Sequence, residues 1–198
     1  MLEKLFRNRL ESESRKFFQQ HQLGIIDIIL FGSAVKGKEQ PQDLDLLIIF
    51  KEKKNLQVAY ELRKNIEKIS RIPVDVESKT YQELFARNFT AREALLAEGY
   101  SLINRIGFAE GLGYKNRILF HYQLRGKTKS ERMRFYYSLY GRGSPGMLKQ
   151  LQATKYTDTV ILCPVEAQEK MREYLRSWKL EFEETPILVP GRLIGVKW

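Results

Sequence analysis

The stretch Ile25-Ile26-Asp27-Ile28-Ile29-Leu30-Phe31, Gly32-Ser33-Ala34-Val35-Lys36-Gly37, and then Asp43-Leu44-Asp45-Leu46-Leu47-Ile48-Ile49-Phe50 decides the reading of this chain. An apolar run of strand length ends on a Gly-Ser turn, and a second apolar run opens on two carboxylates. In a strand, side chains i and i+2 share a face, so Asp43 and Asp45 are expected to point the same way. Two acids held side by side at the mouth of a buried strand repel each other and resist desolvation unless cations neutralise them. Mg²⁺ (or Mn²⁺) suits that place, because a hard cation accepts a few carboxylates and keeps waters for substrate phosphates. The Gly32-Ser33 turn offers close backbone approach and free N–H donors, which suit a triphosphate. The pattern points to a nucleotide-binding, metal-dependent site for phosphoryl or nucleotidyl transfer.

At these residues the chain resembles the DNA polymerase β-like nucleotidyltransferase superfamily, and within it the minimal nucleotidyltransferases. The resemblance covers about residues 20–105 and rests on the Gly-Ser turn, the acid pair and a third acid on a later strand. It places that third acid at Asp75, in Ile72-Pro73-Val74-Asp75-Val76-Glu77, with Glu77 on the same strand face as its rival. The family often has Arg directly after Gly-Ser, whereas this chain has Ala34; Lys36 or Lys38 is then left to meet phosphate charge. The resemblance implies two-metal transfer. Asp43, Asp45 and Asp75 are the catalytic and metal-holding residues, and Gly32, Ser33 and Lys36 bind the nucleotide. The substrate is ATP or another NTP.

Composition sets the wider bounds. The 198 residues, 43% hydrophobic, allow one or two domains with real cores. No apolar stretch reaches the 18 or so residues of a membrane span, and Met1-Leu2-Glu3-Lys4-Leu5-Phe6-Arg7 lacks a signal-peptide core. A cytoplasmic protein without membrane contact is therefore expected. Cys163 is the single cysteine and excludes an intrachain disulfide; within Val160-Ile161-Leu162-Cys163-Pro164 it reads as a small buried hydrophobe. His21 and His121 suggest neither a metal site nor an acid–base pair.

The net charge of +10 is uneven, because residues 111–157 hold ten Lys/Arg against Glu131 alone. A field of that density attracts polyanions, RNA above all, with an acidic partner protein as the alternative. Arg125, Lys127, Lys129, Arg132, Arg134 and Arg142 are the expected nucleic-acid contacts.

The expected fold is α+β. Residues 1–105 form a nucleotidyltransferase mixed sheet with flanking helices, and residues 106–198 a small basic α/β domain. Helices are predicted over 1–20, with Leu2, Leu5, Phe6, Leu10, Phe17 and Phe18 inward, over 55–70, with Leu56, Tyr60, Leu62, Ile66 and Ile69 inward, and over 79–87 and 90–101. Residues 117–124 read equally as strand or short helix. Thr128 with Glu131 is a capping-box signature for a helix over 129–140. Its Met133, Tyr136, Tyr137 and Tyr140, at i, i+3, i+4 and i+7, read as core, with base stacking as the alternative. A strand over 159–165, a helix over 166–178 and a strand at 186–189 suggest a parallel βαβ unit.

Three functions compete: a nucleotidyltransferase adding a nucleoside monophosphate to RNA or another acceptor, an antitoxin-like nucleotidyltransferase modifying a partner protein, and an RNA-binding protein with a decayed transferase site.

Overall fold

The computed structural model describes residues 4–35 and 42–193 of the chain, the side chains of Lys4 and Ser33 excepted. They form two compact units, Met1–Leu112 and Gly113–Trp198. The division falls past the expected 105/106 because Ile106–Gly107 is a strand of the first unit's sheet.

The first unit runs α1 (Lys4–His21), β1 (Ile25–Phe31), a 3₁₀ turn at Gly32–Ala34, β2 (Leu44–Phe50), α2 (Leu56–Ser70), β3 (Val74–Thr80), a 3₁₀ turn at Gln82–Phe85, α3 (Arg92–Glu98), β4 (Tyr100–Ser101), β5 (Ile106–Gly107) and α4 (Phe108–Gly111). Its sheet has the order β3-β2-β1-β4-β5. The pairing is mixed: β2 and β3 are parallel, the others antiparallel. β2 is buried on both faces, which explains its unbroken apolar run. Leu44, Leu46, Ile48 and Phe50 join Leu10 and Phe17 of α1 and Ala59, Leu62 and Ile66 of α2 in the larger core. Leu47 and Ile49 pack with Ile29, Leu84, Phe89 and Leu95 on the other side. Asp45 stands at the head of that second row.

Not every apolar helix residue faces inward as expected. Leu5, Leu56 and Tyr60 are exposed; in α2 the inward stripe is Ala59, Leu62 and Ile66, at i, i+3 and i+7, and Leu56 and Tyr60 lie off it. Asn55 caps α2 by accepting from the N–H groups of Gln57 and Val58. Arg15 Nε donates to the Ile103 carbonyl at 2.8 Å, holding α1 against the loop after β4.

The second unit runs β6 (Tyr114–Gln123), α5 (Lys129–Tyr140), α6 (Met147–Gln150), β7 (Thr154–Lys155), β8 (Val160–Pro164), α7 (Gln168–Ser177) and β9 (Glu181–Pro190). Residues 117–124, ambiguous in sequence, fall almost wholly within central strand β6: Ile118, Phe120 and Tyr122 alternate into the core. The sheet order is β7-β8-β6-β9 and every neighbouring pair is antiparallel. β8 and β9 therefore run parallel to each other, as the strand–helix–strand pattern implies, with β6 inserted between them. Phe135 and Leu139 of α5 and Met171, Tyr174 and Leu175 of α7 complete the core. Cys163 is buried there, and burial pushes its thiol up to about 11, so it is inert packing.

The capping box forms as its sequence implies: Thr128 Oγ1 accepts from Glu131 N–H, and the Glu131 carboxylate accepts from Thr128 N–H at 2.8 Å. The aromatic stripe above it departs from expectation. Phe135 and Leu139 fill the core and Tyr136 is partly buried against it, whereas Met133, Tyr137 and Tyr140 are 40–44% exposed.

Candidate active site

The ends of three strands meet at one edge of the first unit. β1 runs antiparallel to β2, so its last residue, Phe31, sits opposite Asp45. β3 runs parallel to β2 and sets Asp75 beside Asp45 in register. The Leu44 N–H donates to the Pro73 carbonyl at 2.9 Å, locking the two strand starts together. Asp43 lies one residue before β2, exposed, and Asp75 is exposed on edge strand β3. Asp75, distant in sequence, is thus brought to the Asp43–Asp45 pair by strand pairing.

Their charges act on one another. Partial burial raises the Asp45 carboxyl above its ordinary range, and the negative charges of Asp43 and Asp75 raise it further. Glu77, the rival third acid, is matched to Leu47 one step deeper along the strands and is taken by Lys79 in an ion pair of 2.9 Å. Asp75 has no ion-pair partner among the described residues. That difference favours Asp75 as the acid left free for a ligand.

Gly32 closes the fourth side. Its φ of +73° is left-handed, and a Cβ there would lie 2.3 Å from Asp45 Oδ2, so no other residue fits without displacing the carboxylate. The turn that follows, Gly32–Ala34, is closed by the Val35 N–H donating to the Gly32 carbonyl at 3.2 Å. Ser33 contributes backbone to this turn; its side chain and the whole of Lys36 lie outside the described residues.

Sequence reading passed over Arg63. In α2 it reads as one half of a solvated i, i+4 pair, and it does bond Glu67 at 2.9 Å. Yet the charge of Asp75 is among the influences that raise the Arg63 guanidinium, after the bond to Glu67. Only the packing of α2 against β3 brings that cation near the acids.

Among the described residues, no group of three His, Cys, Asp or Glu side chains stands ready-made to hold a metal ion. The fit to a divalent cation is one of donor type and charge: hard carboxylate oxygens in adjacent register, one of them pushed up by its neighbours.

The expected nucleic-acid contacts all lie in the second unit. Arg125, Lys129, Arg132, Arg134 and Arg142 are exposed and Lys127 is half-buried. Arg132 Nε donates to the Lys127 carbonyl at 3.0 Å, and the Arg142 guanidinium lies over the Tyr137 ring at 4.7 Å.

Residues 11–96, which contain the turn and all three acids, match the family described as nucleotidyltransferase domain. The match is to this stretch and not to the chain as a whole. Among solved structures, a minimal nucleotidyltransferase is 28% identical over 50% of this chain and 94% of that one, with a TM-score of 0.38. A toxin–antitoxin complex with AMP-PNP is 18% identical over 46% of this chain and 71% of the other, TM-score 0.37. A tri-AMPylated HEPN toxin with the MNT antitoxin of Shewanella oneidensis is 16% identical over 48% and 71%, TM-score 0.34. At such TM-scores they add nothing to the family match. No curated protein matches the chain. The match lies within the first unit and leaves the second unassigned. Among the described residues no helix is long and apolar enough to cross a membrane.

Proposed function

We propose that the chain transfers a nucleoside monophosphate from an NTP, ATP foremost, to a hydroxyl acceptor, with RNA the favoured acceptor. The observation that carries this reading is the register of Asp45 beside Asp75 at the Gly32 turn. Asp43, Asp45 and Asp75 would hold Mg²⁺, which when bound supplies charge neutralisation at the triphosphate and a more acidic acceptor hydroxyl. The backbone of Gly32 and Ser33, with Lys36, receives the β- and γ-phosphates. Asp75, on the open edge strand, orients the incoming hydroxyl and takes its proton. The new bond to the α-phosphorus forms as the bond to the β-phosphate oxygen breaks, and pyrophosphate leaves. Arg63, paired with Glu67 and within the electrostatic influence of Asp75, would offset part of the charge gathered there. The basic second unit is what favours a polyanionic acceptor.

The test is transfer from ATP labelled at the α-phosphate, with Mg²⁺, total RNA and cell extract. Label in RNA supports the reading. Label in one protein band keeps the chemistry and moves the acceptor to a partner protein. No transfer with any of the four NTPs overturns it and leaves the decayed-site alternative.

A further inference from the structure

A stripe of apolar side chains lies open to solvent in the most basic part of this chain. Met133, Tyr137 and Tyr140, at i, i+4 and i+7 of α5, line one exposed face over about 10 Å of helix. Phe135 and Leu139 fill the core from the opposite side, and Tyr140 stacks on Tyr136 with ring centroids 5.7 Å apart, so Tyr137 is the ring of this stripe left to a ligand. Cations flank it: the Arg142 guanidinium lies over Tyr137 at 4.7 Å and Lys155 Nζ over Tyr140 at 5.6 Å. Lys155 is neutralised by Asp158 at 2.5 Å, whereas Arg142 has no ion-pair partner among the described residues. Arg142 also sits in a loop of fixed shape. Gly141 and Gly143 have φ of +94° and +79°, a Cβ on Gly141 would lie 2.2 Å from the Ser144 carbonyl oxygen, and Gln150 Nε2 donates to the Pro145 carbonyl at 2.8 Å.

We propose that this face of α5, with Arg142, is a stacking platform for single-stranded nucleic acid. Unpaired bases stack on tyrosine rings or on a guanidinium plane, and nearby phosphates meet Arg134 and the surrounding basic residues. A duplex, with its bases stacked inside, offers such a surface only its backbone. An acidic protein also buries exposed rings, so competition by an acidic polypeptide tells the two occupants apart. The excess of basic residues around α5, with the exposed Tyr137 ring and the Arg142 guanidinium over it, favours a single strand. The proposal rests on the transferase reading only in making that strand the acceptor; the binding stands apart from it.

The test is fluorescence anisotropy of a labelled single-stranded 12-mer, in RNA and DNA arms, with the full chain over a range of salt. Stacking of this kind is worth roughly 5- to 150-fold in affinity per base. Tyr137→Ala should weaken binding within that range and leave the salt slope unchanged, while Tyr137→Phe retains affinity. Arg142→Ala should weaken binding and flatten the slope by about 0.7. Asp43→Asn should bind as the wild type does, so a dead transferase with intact binding separates the two proposals. RNA binding that exceeds DNA binding points to the acceptor as RNA; equal binding still supports the platform. The proposal is overturned if duplex binds as tightly as single strand, if Tyr137→Ala, shown folded by circular dichroism, binds unchanged, or if an acidic polypeptide of equal charge competes as well as RNA.

Discussion

Asp45 concentrates the physics of the site in one side chain. Its carboxyl is raised by burial first and then by Asp43 and Asp75, so the folded chain without metal holds that proton more tightly than the unfolded chain does. The stabilisation from this group is full below the ordinary carboxylate range and is lost as pH rises through the raised value. At neutral pH, Asp45→Asn should therefore be at least as stable as the wild type, and the difference should close as pH is lowered through the carboxylate range. Mg²⁺ should raise the melting temperature of the wild type and do so much less in the variant. Transfer should fall by about a hundredfold or more, since a metal-bridging carboxylate supports several kcal/mol of charge stabilisation. Activity within a few-fold of wild type, or a variant less stable at pH 7, would remove Asp45 from the role given to it. These residues were legible because the acid pair and the Gly-Ser turn are local in sequence. The resemblance already placed the third acid at Asp75 rather than Glu77; sequence spacing does not contain the Lys79 ion pair that engages Glu77, nor the packing of α2 that puts Arg63 within the influence of Asp75.

At the scale of elements, what sequence revealed depended on how local the cause was. The α5 start is set by two residues three apart, and both halves of the Thr128–Glu131 box form. Thr128→Ala should lower stability by about 1 kcal/mol, measured as a drop in the denaturant midpoint with an unchanged slope; no change would mean that packing of Phe135 and Leu139 alone fixes the helix. The strands β4, β5 and β7, of two residues each, carry no period and exist only through their partners, so no sequence pattern announced them. The face of α5 was misjudged for a different reason. Met133, Tyr136, Tyr137 and Tyr140 have helical spacing, but so do Phe135 and Leu139, and a helix with apolar residues on two sides does not say which side a sheet will cover. The answer came from Tyr122 of β6, whose ring meets Phe135 edge-on at 5.3 Å.

Across the whole molecule, charge and core are divided along the same line. Each unit has its own apolar cluster, and the dense run of basic residues at 111–157 falls almost entirely within the second. A unit that closes its own sheet and caps its own helices should fold without its neighbour. A fragment of residues 113–198 is expected to show a cooperative thermal transition and to retain most of the chain's affinity for single-stranded RNA, whereas 1–112 is expected to retain almost none. The salt dependence gives the sharper measure. Affinity for a single strand should fall linearly with the logarithm of salt, at about 0.7 per phosphate neutralised. The fragment should therefore show nearly the slope of the full chain. Replacing Arg125, Lys127, Arg132 and Arg134 together by Ala in the full chain should flatten that slope by about two to three. A folded fragment that binds no RNA while the full chain does would show that the first unit supplies phosphate contacts of its own. A fragment that never folds would show instead that the basic half depends on the transferase half for its structure.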